Sequence, residues 1–235
     1  MSAEEKIAIV TGATRGIGKA IATRLSDADR MLEACKANGA LLVINHNARF
    51  SPNCRRLRDL ILANQLGELT SASVQWSTGR LGGVGTHVID ALCMLTSRRV
   101  LAVSGTLDFS GRPDCRGPNF RDPGAWGVIQ LDNGLMVTVN APDYGNVPLQ
   151  ICINGTAGRA ITDRSQVTID YENDNEQQWP PSNDGKTSMD RAVGEIVAWL
   201  NDGTPFPYAA DEAAGTLEAV VGFHVSHARN AAWVE

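Results

Sequence analysis

The stretch Arg80 to Leu95, RLGGVGTHVIDALCML, decides how this chain is read. A glycine cluster (Gly79, Gly82, Gly83, Gly85) runs into a helical pattern, with Thr86 at the position of an N-cap. Val88, Ala91, Leu92 and Leu95 recur at the spacing of one apolar helix face. His87 and Asp90 stand three residues apart, so both leave the same side of the first turn. Around this helix the pattern changes to period two. Leu69–Ser77 and Val100–Asp108 alternate as strands on either side of it. Trp126–Leu131 and Leu135–Asn140 flank Asp132-Asn133-Gly134, a strong hairpin signal. Leu149–Ile153, Arg159–Thr162 and Val167–Tyr171 add further strands. Together they predict an open, mostly antiparallel sheet with helices on one face. Arg112–Gly124 and Asn173–Lys186 read as loops.

Composition narrows the function classes. The chain has 235 residues, 43% hydrophobic and 20% charged, with a net charge of −5 and no long basic run. Nucleic acid is therefore not the expected partner. Five cysteines, odd in number and never spaced Cys-x-x-Cys, argue for reduced thiols and a cytoplasmic setting. No apolar run approaches a membrane span, and MSAEEK is too acidic for a signal peptide. No metal site is expected. His224 and His227 share a helix face, but a metal needs further ligands beside them.

Toward the N-terminus, Lys6–Thr11 (KIAIVT) has the form of a buried parallel strand. It leads directly into TGATRGIG and a helix. Glycines after a strand let the backbone approach a pyrophosphate, and the helix N-terminus presents free N–H groups and a positive dipole end. Residues 15–38 are nearly all helical, either as one helix or with Ser26 capping a second. Gly39 suits the C′ position, and Ala40–Asn45 forms a second strand. Ser51-Pro52 opens the next helix with an N-cap and Pro at N1, and Gly67 closes it. Thr187 and Asp190 match a capping box. Met189, Val193, Ile196, Val197 and Leu200 then form an apolar stripe expected to be core. Asp211 is expected to cap the last helix.

Two resemblances follow from these residues. Gly85-x-His87-x-x-Asp90, with INHNARFSP (Ile44–Pro52), LGELTSASVQW (Leu66–Trp76) and INGTAGRA (Ile153–Ala160), resembles the glucose–fructose oxidoreductase / inositol dehydrogenase family (Gfo/Idh/MocA) over about residues 26–235. Thr11 to Gly18 resembles the nucleotide motif of short-chain dehydrogenases/reductases. The predicted architecture is α/β plus α+β. A truncated Rossmann-like βαβ unit spans residues 1–48, and an α+β substrate and oligomerisation domain spans 49–235.

The first resemblance implies an NAD(P)-dependent sugar or polyol dehydrogenase, with His87 as acid/base and Asp90 on the substrate. The second implies cofactor contacts at Thr11, Gly12, Thr14, Arg15, Gly16, Ile17 and Gly18, with Arg15 at the place where some relatives meet the 2′-phosphate of NADP. Several parts of both patterns are missing. Gly83 stands where the first family carries a carboxylate four residues before the His, and no Glu-Lys-Pro segment occurs. None of Tyr144, Tyr171 and Tyr208 has a Lys four residues on, which excludes the short-chain reductase active site. A full dinucleotide fold needs more than two strands, and residues 36–47 lack the acidic group that meets the ribose. Turnover is accordingly expected to be weak or absent. The alternative is a catalytically silent binding or assembly module, forming a homo-oligomer through its open sheet.

Overall fold

A computed structural model describes residues 7–10, 21–77, 80–110, 121–143, 145–172, 175–204, 206 and 208–235. The glycine-rich segment 11–20 and residues 111–120 lie outside the described residues. Thr11, Gly12, Thr14, Arg15, Gly16, Ile17 and Gly18 are therefore not placed.

The chain opens with β1 (Ile7–Val10), α1 (Ile21–Ala37) and β2 (Leu41–Ile44). β1 and β2 pair in parallel, Ile7 opposite Leu41 and Val10 opposite Ile44. A parallel pair with a helical crossover is the βαβ unit read from the apolar runs. α1 continues through Ser26 without a break, so no second helix starts there. Ser26 would have to leave helical geometry to cap, and nothing on either side interrupts the run. Gly39 adopts φ +60, the left-handed conformation that ends the helix.

A short 3₁₀ turn (Asn47–Phe50) leads into α2 (Pro52–Leu62). Ser51 caps α2 by accepting from the Cys54 N–H, with Pro52 at N1. The helix ends at Leu62, and Asn64 (φ +57) makes the turn. Gly67 (φ +72) comes later, where a Cβ would stand 2.2 Å from Thr156 Oγ1.

The second sheet has eight strands: β3 (Leu69–Gln75), β4 (Val100–Asp108), β5 (Gly124–Leu131), β6 (Met136–Ala141), β7 (Gln150–Gly155), β8 (Gly158–Thr162), β9 (Val167–Tyr171) and β10 (Glu176–Trp179). Their spatial order is β10-β9-β8-β7-β3-β6-β5-β4. All pairings are antiparallel except β3 with β6, where Ala72 lies opposite Val137. β10 falls in a segment read as loop. Its residues, EQQW, carry little strand signal, and its existence follows from ladder bonds to β9 and from burial of Trp179.

α3 (Thr86–Thr96), α4 (Ser188–Asp202) and α5 (Ala210–Ala228) complete the structure. α5 lies across β4 and β5, where Phe223 occupies the space beside Gly105 and Gly127; a Cβ on either would come within 2.7 Å of its ring. α2, α3 and the inward sheet face share one core built around Trp76, Leu57, Leu92, Leu95, Ile129 and Ile151. The Thr187–Asp190 capping box is present at α4, its two backbone–side-chain bonds 2.8 and 3.1 Å long. The expected core stripe of α4 is not core throughout. Ala192 and Ile196 are buried, but Met189, Val193 and Val197 face outward at 48%, 51% and 47% exposure. The last helix starts after Ala209, which leaves Asp211 inside its first turn rather than at the cap. Among the described residues no helix is long and apolar enough to cross a membrane. Cys35, Cys54, Cys93 and Cys152 are free thiols.

Candidate active site

α3 positions His87 and Asp90, and its start differs from the simple N-cap expected at Thr86. Leu81–Gly85 already forms a π-helical turn continuous with α3, and Thr86 is itself helical (φ −54, ψ −43). Its hydroxyl donates to the Gly82 carbonyl at 2.9 Å. The capping group is Asp122, from the segment before β5. Its carboxylate accepts from the Gly82 N–H at 2.7 Å and the Gly83 N–H at 2.8 Å. Two otherwise unpaired helix donors and the positive end of the helix dipole are satisfied together. A Cβ on Gly83 would stand 3.1 Å from Asp122 Oδ2. The position where the resembled family carries a carboxylate is thus next to one supplied from elsewhere in the chain.

Asp90 is fully buried, and its carboxylate is held by Arg49. Arg49 Nε donates to both carboxylate oxygens (3.0 and 2.9 Å) and Nη2 donates to Oδ1 at 2.7 Å. Nη1 donates to Glu212 Oε2 at 2.6 Å, and the Tyr208 hydroxyl donates to the Arg49 carbonyl at 2.8 Å. The Tyr208 ring lies under the guanidinium, 4.6 Å from its carbon. Burial alone would lower the guanidinium pKa, but the bonds to Asp90 and Glu212 outweigh it and raise it. The side chain expected on a substrate therefore joins three elements: the turn after β2, α3 and the start of α5.

His87, one turn before Asp90, is partly buried. Its Nδ1 is enclosed and has no hydrogen-bond partner among the described residues. Its ring meets that of His46 edge to face, with centroids 5.1 Å apart. His46, at 7% exposure, also has an unpartnered Nδ1, 4.0 Å from Asp90 Oδ2. Burial lowers the His46 pKa; Asp90 opposes this and Arg49 adds to it. His87 is pushed down to about 4, first by burial, then by His46 and Arg164, with Asp90 pulling the other way. Both imidazoles are neutral at pH 7. Asn45, at the carboxyl end of β2, has a buried Oδ1 without a partner and donates through Nδ2 to Met189 Sδ at 3.1 Å.

The fold resolves one question of likeness. The chain superposes on an oxidoreductase from Sinorhizobium meliloti with a TM-score of 0.76, at 17% identity, over 90% of this chain and 69% of that one. It superposes on an inositol dehydrogenase homologue from Azotobacter vinelandii, solved with NADH and myo-inositol, at TM-score 0.70 and 14% identity, covering 90% and 68%. Its fold is that of the Gfo/Idh/MocA oxidoreductases. A super-repressor mutant of Gal80p from Saccharomyces cerevisiae shares the fold with a TM-score of 0.78 at 16% identity, over 98% of this chain and 72% of that one. In sequence the chain is 36% identical over 178 residues to glucose-fructose oxidoreductase domain-containing protein 1 of Mus musculus, and 31% identical to that of Xenopus tropicalis. Each match takes in 63% of this chain, which spans 45% of each relative. No family model matches.

The parallel sheet at the N-terminal end comprises, among the described residues, β1 and β2 with α1 between them. Ligands of open parallel sheets bind at the carboxyl ends of the strands, and here that end carries Asn45 and His46, both with unfilled polar atoms. Both atoms are enclosed by the protein rather than open at the edge. Asn45, His46, Arg49, Asp122 and Arg164 were not singled out from the sequence as site residues. Arg49 had a signal, as the one charged residue in INHNARFSP, but its partner lies 41 residues away. Among the described residues no group of three or more potential metal ligands clusters, around His224 and His227 or elsewhere. A groove of about 410 Å³ between α2 and α4 lies elsewhere, and Arg55 in its wall is already paired with Glu195 at 2.7 Å.

Proposed function

We propose that this chain is a polyol- or sugar-binding member of the NAD(P)-dependent oxidoreductase fold group in which hydride chemistry is weak or absent. His87 carries the reading. It stands at the carboxyl end of the βαβ unit as an unpartnered, neutral imidazole, which suits contact with a ligand hydroxyl. Alcohol oxidation needs a base that takes up the hydroxyl proton, and a group at about 4 holds that proton poorly at pH 7. The neighbouring carboxylates are committed: Asp90 to Arg49, and Asp122 to the Gly82 and Gly83 N–H groups.

Thr11, Gly12, Thr14, Arg15, Gly16, Ile17 and Gly18 would hold a nicotinamide cofactor, which would supply hydride acceptance. The chain's own part is to orient a hydroxyl at His87 and to hold α3 rigid through Arg49. Titration with NADH and NADPH, followed by nicotinamide fluorescence, tests the cofactor half. Saturable binding lost in Gly16→Asp is the expected result. Turnover of sorbitol or myo-inositol with NAD⁺ or NADP⁺ at about 1 s⁻¹ or faster, the ordinary enzyme range, refutes the weak-catalysis half.

A second reading, assembly through the open sheet face, is favoured by Trp126 and Met136, which stand on that face at 43% and 41% exposure. Around them the face is largely polar: Ser71, Ser73, Gln75, Thr138 and Asn140. Light scattering at micromolar protein decides it. A dimer that Trp126→Glu dissociates supports assembly, and a monomer excludes it.

A further inference from the structure

The groove between α2 and α4 is lined by two charged side chains that the fold leaves unpaired. Its volume of about 410 Å³ is in the range of small-ligand sites. α2 contributes Arg55, Arg58 and Asp59, α4 contributes Glu195 and Ala198, and Tyr208 lines it from the segment before α5.

Arg55 is committed to the walls. Its Nη1 and Nη2 donate to the two Glu195 carboxylate oxygens at 2.7 and 2.9 Å, which ties α2 to α4. Its Nε donates to the Arg49 carbonyl at 2.7 Å, the same oxygen that accepts from the Tyr208 hydroxyl at 2.8 Å. These bonds fix the shape of the groove before anything enters it, which lowers the ordering cost of binding.

Arg58 and Asp59 have no such partners. A helical carboxylate meets a cation four residues before it. For Asp59 that cation is Arg55, which is turned onto Glu195 instead. The positions three and four residues from Arg58 hold Cys54, Arg55, Ile61 and Leu62, none of them acidic. Arg58 and Asp59 do not serve each other either, because adjacent helical positions do not face one another. Among the described residues neither side chain forms an ion pair, and the one side-chain hydrogen bond of Arg58 runs from Nε to Ser97 Oγ at 3.3 Å. Both Nη groups of Arg58 keep their N–H donors for a ligand.

We propose that this groove binds a zwitterion of the α-amino acid class. The ligand carboxylate takes the planar fork of Arg58, which suits its two oxygens. The ammonium takes the Asp59 carboxylate, and the side chain lies toward Ala198 and the Tyr208 ring. Arg55, Arg58, Asp59 and Glu195 together carry no net charge. A ligand with both signs therefore matches them better than an anion or a cation, either of which would meet a like charge beside its partner. The site is separate from that of His87 and does not depend on how His87 is read.

Calorimetric titration of the full chain with L-leucine, 4-methylpentanoate and 3-methylbutylamine separates the charges, since the last two lack the ammonium and the carboxylate respectively. Leucine should bind one to one, and each analogue about fivefold or more weaker. Arg58→Gln and Asp59→Asn should each weaken leucine by a similar factor, and Arg58→Lys should keep part of the affinity. Arg56→Gln makes the same charge change at a guanidinium stacked 3.8 Å from the Trp179 ring, outside the groove, and should leave leucine binding unmoved. Asp59→Asn should bind 4-methylpentanoate no more weakly than the wild type does, a result that a distorted groove would not give. Leucine-dependent NMR shifts should centre on the backbone amides of α2, α4 and Tyr208.

The site is overturned if leucine does not saturate at millimolar concentration, or if either variant leaves leucine affinity unchanged. It is equally overturned if one analogue binds within about twofold of leucine, which would mark a plain anion or cation site. None of these outcomes bears on the cofactor titration, which reports on other residues.

Discussion

Removing the Asp90 carboxylate should be the most damaging single change at the site, and it should act on folding rather than on a substrate. Arg49 is 95% buried by its 5% exposure, and Asp90 has none. Three N–H···O bonds join them, all at 3.0 Å or less. In Asp90→Ala the guanidinium stays in place with only Glu212 as a charged partner, at 44% side-chain exposure. Breaking a buried pair from one side typically costs about 3–5 kcal/mol, because the remaining charge is left uncompensated. For a chain of this size that corresponds to a fall in Tm of about 6–20 °C. Replacing both partners (Arg49→Met with Asp90→Leu) removes the uncompensated charge and should recover most of the loss. Urea unfolding of the wild type, Arg49→Met, Asp90→Leu and the double variant closes the thermodynamic cycle. The coupling energy should be about 2 kcal/mol or more. A loss below about 1 kcal/mol in Asp90→Ala, or strict additivity, refutes the assignment of this pair as the clamp between the turn after β2 and α3.

Gly155→Ala should destabilise strongly, because the new Cβ would stand 2.1 Å from the Leu66 carbonyl oxygen and neither backbone can move freely; a midpoint unchanged in denaturant would count against that contact. Thr187→Ala removes one half of a complete capping box and should cost about 1 kcal/mol by the same measurement. Acid should unfold the protein early. His87 and His224 take up protons near 6.5 when unfolded but only at about 4 when folded, burial being the main cause in each. Between those values the unfolded state binds more protons, so stability is complete above 6.5 and falls as pH drops toward 4. His87→Gln should flatten that slope between pH 7 and 5, and an unchanged slope would exclude His87 as a contributor. Gly83→Asp should place a second carboxylate against Asp122 and loosen the start of α3 rather than restore activity; a rise in polyol oxidation would contradict this.

The large sheet was legible because its strands alternate. Residues of β3 such as Ala72 and Val74 are buried while Ser71 and Ser73 are not, and that period reads directly from the letters. β4 and β9 occur at the residues expected, and the β5–β6 hairpin turns at Gly134 (φ +85). What the letters hid depends on distant partners. β10 exists because β9 offers it an edge. Thr86 is interior because Asp122, 36 positions later, caps the turn before it. The α4 stripe looked like core because Met189, Val193 and Val197 recur at i, i+4 and i+8. Burial depends on what the rest of the chain brings to that face, and here it brings little.

The same dependence on distant partners shapes the candidate site. His87 needs a fixed helix, and that helix is fixed by Asp122 at its start and by Arg49 on Asp90 one turn later. Both contacts spend a carboxylate on architecture. Asp90 still pulls the His87 pKa upward, but burial, His46 and Arg164 outweigh it. A partly buried imidazole held neutral in this way is poorly matched to proton abstraction at pH 7. Hydride transfer would instead require a charged partner that raises the His87 pKa toward pH 7.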